Sequence, residues 1–137
     1  MRVFLDTNVL VSAFATRGMC ADVLRLVLAE HTLVTGDVVV RELDRVLRSR
    51  IRLPRPKVDA IVAFLREHEV VPKPAKPSSL NLRDEDDRWV LASAVAGAAE
   101  VLVTGDSDLL DMAALAPLEI VNPRGFWELA RRPRRRG

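Results

Sequence analysis

The sequence predicts an α/β fold, a three-layer α/β/α arrangement around a central parallel sheet of four to five strands. Three observations carry that reading. Short apolar runs rich in strand formers recur along the chain, above all at residues 2–6, 31–35 and 101–104. Between them lie stretches with apolar residues at three- and four-residue spacing, as helices covering a sheet require. The two kinds of segment alternate, which implies right-handed crossovers and a sheet buried on both faces.

The first strand stops at Asp6-Thr7-Asn8, and helical spacing resumes at Val9, Leu10, Val11 and Phe14. It thus ends in a carboxylate, at the edge where open α/β sheets bind ligands. A helix is expected over residues 8–15, then a break at Thr16-Arg17-Gly18. The next helix, residues 21–30, carries Val23, Leu24, Leu26, Val27 and Leu28 and should be largely buried. After the strand at residues 31–35, Gly36-Asp37 reads as a turn whose aspartate can N-cap the following helix. That helix, residues 38–50, places Val39, Leu43, Val46 and Leu47 on one stripe and ends before Leu53-Pro54-Arg55-Pro56.

A helix over residues 57–68 and a short strand at Val70-Val71 follow. Residues 72–82, with Pro72, Pro74 and Pro77, form the clearest loop. Arg83-Asp84-Glu85-Asp86-Asp87 then opens a small-residue helix, residues 86–96, whose alanines allow close packing on the sheet and which Gly97 can terminate. The strand at residues 101–104 runs into Gly105-Asp106. A short helix (107–113), a strand (119–121) and a last helix (123–131) complete the order. Residues 1–130 are expected to form one domain, and the basic tail, residues 131–137, to be disordered.

The lone cysteine, Cys20, cannot form an internal disulfide, and no apolar run approaches the roughly 20 residues of a membrane span. A soluble cytoplasmic protein without membrane contact is expected. Its net charge of +2 is uneven. Arg131, Arg132, Arg134, Arg135 and Arg136 hold five of the 21 basic residues, so residues 1–130 carry 16 basic against 19 acidic groups. A second basic run spans residues 41–57. Basic runs beside acidic groups suit an anionic polymer held near bound cations, although a solvated helix face would look the same.

Four carboxylates stand out by placement. Asp6 and Asp106 end strands, Glu42 lies early in the helix leaving the second strand, and Asp87 opens the helix feeding the strand at 101–104. A parallel sheet brings all four to one edge. Carboxylates crowded together repel one another unless cations occupy the cluster, and an all-oxygen set selects Mg²⁺ or Mn²⁺ over zinc. Singly, each has a structural explanation: Asp6 and Asp106 as N-caps, Glu42 as a solvated helix residue, Asp87 as complement to a helix N-terminus.

Asp6-Thr7-Asn8 after an apolar strand, Glu42-Leu43 before Val46-Leu47, residues 84–87 before Trp89-Val90-Leu91-Ala92, and Thr104-Gly105-Asp106-Ser107-Asp108 together resemble the PIN-domain ribonucleases. Residues 1 to about 125 share the resemblance, which is closest to the VapC-like toxins of bacterial toxin-antitoxin pairs. It implies an acidic quartet of Asp6, Glu42, Asp87 and Asp106 that binds one or two Mg²⁺ or Mn²⁺ ions, with Asp108 beside it and Asn8 and Thr104 in support. Asp84 and Asp86 compete with Asp87 for the third place. It further implies hydrolysis of RNA, a cognate antitoxin and a homodimer.

RNA phosphates are expected on Arg41, Arg45, Arg48, Arg52 and the tail. Trp89, Phe126 and Trp127 read as core or interface rather than base-stacking residues. A non-catalytic RNA- or partner-binding domain on the same fold is the alternative. A phosphoryl-transfer enzyme using an aspartate nucleophile after the first strand fits less well, because Asn8 stands where a second aspartate is needed.

Overall fold

Val3, Phe4 and Leu5 leave β1 (Arg2–Leu5) no polar face, and such a strand needs helices on both sides and neighbours at both edges. The computed structural model, which describes residues 1–131, places it at the centre of a five-stranded parallel sheet. The strand order is β3-β2-β1-β4-β5, with β2 at Thr32–Gly36, β3 at Glu69–Val71, β4 at Val101–Val103 and β5 at Glu119–Val121. Phe4 aligns with Val34 on one side and Leu102 on the other. Helices α1 (Thr7–Ala15), α2 (Met19–Glu30), α3 (Asp37–Ser49), α4 (Arg55–Arg66), α5 (Glu85–Ala96), α6 (Ser107–Asp111) and α7 (Pro123–Arg131) flank it as a three-layer α/β/α fold.

The chain builds outward from β1 through β2 to β3, then returns by α5 to build β4 and β5 on the opposite side. Its crossovers therefore diverge between the carboxyl ends of β1 and β4. A crevice opens at such a switch point, because neighbouring connections leave in opposite directions.

Helix ends follow the apolar spacing to within two residues, apart from the last turn of the segment after β4, where Ala113–Leu115 is a 3₁₀ turn. Two local expectations are corrected, the cap of α3 and the burial of α2. Gly36, not Asp37, is the N-cap of α3, and no side chain caps that helix. Asp37 enters the first turn and pairs with Arg41 at 2.8 Å and Arg66 at 3.1 Å. A Cβ at position 36 would lie 3.0 Å from Ser93 Cβ, so the approach of α5 demands the small residue.

Gly97 ends α5 at φ −81, so no left-handed conformation requires it; the residue at positive φ is Ala98. What Gly97 provides is contact, since a Cβ there would meet Val71 Cγ2 at 2.7 Å and Val34 Cγ1 at 2.8 Å. Helix α2 is buried only along Val23, Leu24 and Val27, and Leu28 is exposed, because α1, α7 and β2 cover one side alone. Among the described residues no helix is long and apolar enough to cross a membrane. Arg131 is the last residue of α7; the expectation of a disordered tail otherwise falls on residues 132–137, which lie outside the described residues.

Candidate metal centre

Where β1 ends, the buried Asp6 caps α1 and is gripped by three donors. Its Oδ1 accepts from the Thr7 amide at 2.7 Å, and its Oδ2 accepts from Thr104 Oγ1 at 2.7 Å and from Asn8 Nδ2 at 3.2 Å. The same side chains tie β1 to the end of β4. Asn8 Oδ1 accepts from the Gly105 amide at 3.0 Å, and Thr104 Oγ1 from the Asp106 amide at 3.0 Å. Asp106 in turn caps α6, its Oδ1 accepting from the Asp108 amide at 2.8 Å. Capping and clustering are thus compatible at Asp106, whose cap uses Oδ1 alone while the side chain lines the crevice.

Asp87 is treated differently. It stands in the first turn of α5, buried, while Asp84 performs the capping by accepting from the Asp86 amide at 2.9 Å. Among the described residues Asp87 Oδ2 has no hydrogen-bond partner, although it is closed off from solvent. Burial pushes the Asp87 carboxyl up to about 7, reinforced by the charges of Asp106, Asp6, Asp84 and Asp108. Asp6 and Glu42 are also raised, chiefly by burial, against the hydrogen bonds that hold their charged forms. Glu42 Oε2 accepts from Thr7 Oγ1 at 3.2 Å.

Oxygens of Asp87, Asp106 and Asp108 come within 4.8 Å of one another, the separation at which one cation can bridge them. Asp6, Glu42, Asp84 and Asp86 line, with Asp87 and Asp106, a cleft of about 320 Å³. Among the described residues no lysine or arginine forms an ion pair with Asp6, Glu42, Asp87, Asp106 or Asp108. An orphaned buried oxygen, an all-carboxylate donor set and mutual repulsion that no ion pair relieves all fit a hard divalent cation. The expected quartet lines one cleft, but the tight group contains Asp108 in place of Asp6 and Glu42.

The basic residues divide. Arg41 and Arg45 line a neighbouring groove, whereas Arg48 is paired with Asp44 at 2.7 Å and Arg52 occupies a left-handed position in the α3–α4 loop. Arg50 lines the acidic cleft itself and was not singled out from the sequence. A helix read as continuing through residue 50 makes Arg50 one more exposed face residue; α3 in fact ends at Ser49. Phe126 is core, as expected, but Trp89 is only half-buried at the groove, with Lys73 Nζ 4.4 Å from its ring centroid.

The PIN domain family model matches residues 2–108, a span that contains every carboxylate named above. The chain belongs to the PIN-domain family. Solved structures share its fold. VapBC2 from Rickettsia felis, bound to a DNA fragment from its promoter, includes a chain 21% identical with TM-score 0.63, over 89% of this chain and 98% of that one. VapBC-1 from nontypeable Haemophilus influenzae gives 18% identity and TM-score 0.64, over 90% and 99%. FitAcB from Neisseria gonorrhoeae gives 15% and 0.61, over 89% and 98%. A search of curated proteins finds no significant match. In this PIN domain β5 and α7 extend the fold beyond the matched stretch.

Proposed function

We propose that this PIN domain is a Mg²⁺- or Mn²⁺-dependent ribonuclease, acting in the cytoplasm as the toxin of a toxin-antitoxin pair. The observation that carries the reading is Asp87, a buried carboxylate with an unpartnered oxygen amid further carboxylates. Asp87, Asp106 and Asp108 would hold the ion, with Asp6 and Glu42 beside it. A divalent ion there supplies Lewis-acid polarisation of a phosphodiester and a bound water of lowered pKa.

The side chains supply the rest. Asp6, fixed by Thr104, Asn8 and the Thr7 amide, sets the electrostatic potential of the cleft without moving. Glu42 is held at Oε2 by Thr7, which leaves Oε1 to orient the attacking water and take its proton. Arg50 offers a cation to the phosphate. Incubation with a mixed RNA pool tests the whole. Cleavage is expected in Mn²⁺, none in EDTA and none with Asp6→Asn, while RNA that is bound but never cut would favour a non-catalytic domain.

Two structures of similar fold are VapBC complexes, which supports extending the proposal to a cognate antitoxin that covers the acidic cleft. A homodimer formed through helices completes it. Co-expression with the neighbouring gene product, followed by light scattering, tests both partners.

A further inference from the structure

Past Glu42 the acidic cleft continues into a second groove, of about 390 Å³, between α3, the segment after β3 and the start of α5. Glu42, Asp86 and Val90 belong to both, so whatever lies across the carboxylates enters this groove next. Its character changes there. Arg41, Arg45 and Lys73 line it, and of its acidic residues Asp37 is already paired with Arg41 and Arg66. It also presents Trp89, half-buried and with its face under the Lys73 ammonium. A partly open indole among cations is the combination that binds single-stranded nucleic acid, with phosphates on the charges and a base on the ring.

We propose that this groove is a nucleotide subsite: the base adjoining the cleaved phosphodiester stacks on Trp89 in place of Lys73, and Arg45 and the displaced Lys73 hold its phosphates. The subsite rests on the ribonuclease reading for the identity of the strand that enters. It selects two of the basic groups. Arg48 is engaged by Asp44, and neither Arg48 nor Arg52 lines the groove. A single ring serves one base by its π-face, so the subsite favours unpaired RNA with little sequence preference.

The chain has two tryptophans, so Trp127→Phe leaves Trp89 as sole reporter. In EDTA, a ten-nucleotide single-stranded RNA should quench its emission saturably. Trp89→Ala should weaken RNA binding roughly ten-fold and Trp89→Phe restore most of it, with circular dichroism confirming the fold. Arg45→Ala, off the core, should lower the slope of log affinity against log salt by about 0.7. Absent quenching, an unchanged affinity in Trp89→Ala, or equal quenching by a poly-glutamate decamer would overturn the subsite, the last assigning the groove to a protein partner. Cleavage in Mn²⁺ without quenching would overturn the subsite and leave the nuclease standing; quenching without cleavage would do the reverse.

Discussion

Asp6 and Asp87 are buried to nearly the same degree, 4% and 7% exposed, at one edge of one sheet, yet the fold provides for them in opposite ways. Asp6 receives three hydrogen bonds, whereas Asp87 keeps an oxygen with none. An unsatisfied buried acceptor costs about 1–3 kcal/mol, and a charged one more. The difference teaches which carboxylate the polypeptide holds for itself and which it leaves for something absent from the chain. Asp6 anchors the β1–β4 edge; Asp87 is the carboxylate proposed to take the ion.

The sharpest way to break that contrast is to remove each charge. Asp87→Asn and Asp6→Asn should both abolish RNA cleavage. Their stabilities should diverge. Without metal at pH 8, Asp87→Asn should stabilise the fold by about 1–3 kcal/mol in urea unfolding, because it removes a repelled, unpartnered charge. Asp6→Asn should bring no gain, since its new amide nitrogen faces the donors of Thr104 and Asn8. Equal stabilisation in both would erase the distinction. A step down in size, Asn8→Ala removes the bridge from Asp6 to the Gly105 amide and should cost about 10- to 100-fold in metal affinity, read by calorimetry.

The pH dependence sharpens it further. The folded pKa of Asp87, about 7, lies above its ordinary 3.8, so the folded state binds a proton that the unfolded chain has released. The Asp87 contribution to the stability of the metal-free protein is therefore fully present below about pH 4 and lost as pH rises through about 7. Urea titrations across that window should show the decline, and Asp87→Asn should make it shallower, leaving the part due to Asp6 and Glu42. Smallest in reach is Gly97→Ala, which sets a methyl against Val71 and Val34 and should cost about 1–3 kcal/mol. Metal affinity should not change, because the contact lies away from the carboxylates.

The parallel sheet and its buried strands could be anticipated because β1 and β4 are continuous apolar runs, and a run without a polar face announces its burial; the order of the strands could not. Carboxylates at strand ends were legible for the same reason: the place where an apolar run stops is local information. What escaped the sequence depends on contacts between distant segments. Gly36 and Gly97 resemble ordinary turn glycines until α5 is laid against β2 and β3. Arg50 differs from Arg48 only in lying one residue past a helix end. Trp89 reads as core because it opens an apolar helix, and only the fold shows its ring beside Lys73. Asp108 was expected beside the quartet; only the fold shows it grouped with Asp87 and Asp106 more tightly than Asp6 or Glu42.

The central claim is that the carboxylates around Asp87 exist to hold a divalent cation. Titrating the protein with Mn²⁺ at pH 8, followed by electron paramagnetic resonance of the free ion, tests it most directly. The account predicts saturable binding by the wild-type chain that Asp87→Asn abolishes. Wild-type protein that leaves all the Mn²⁺ free, or a variant that binds it equally well, would contradict it.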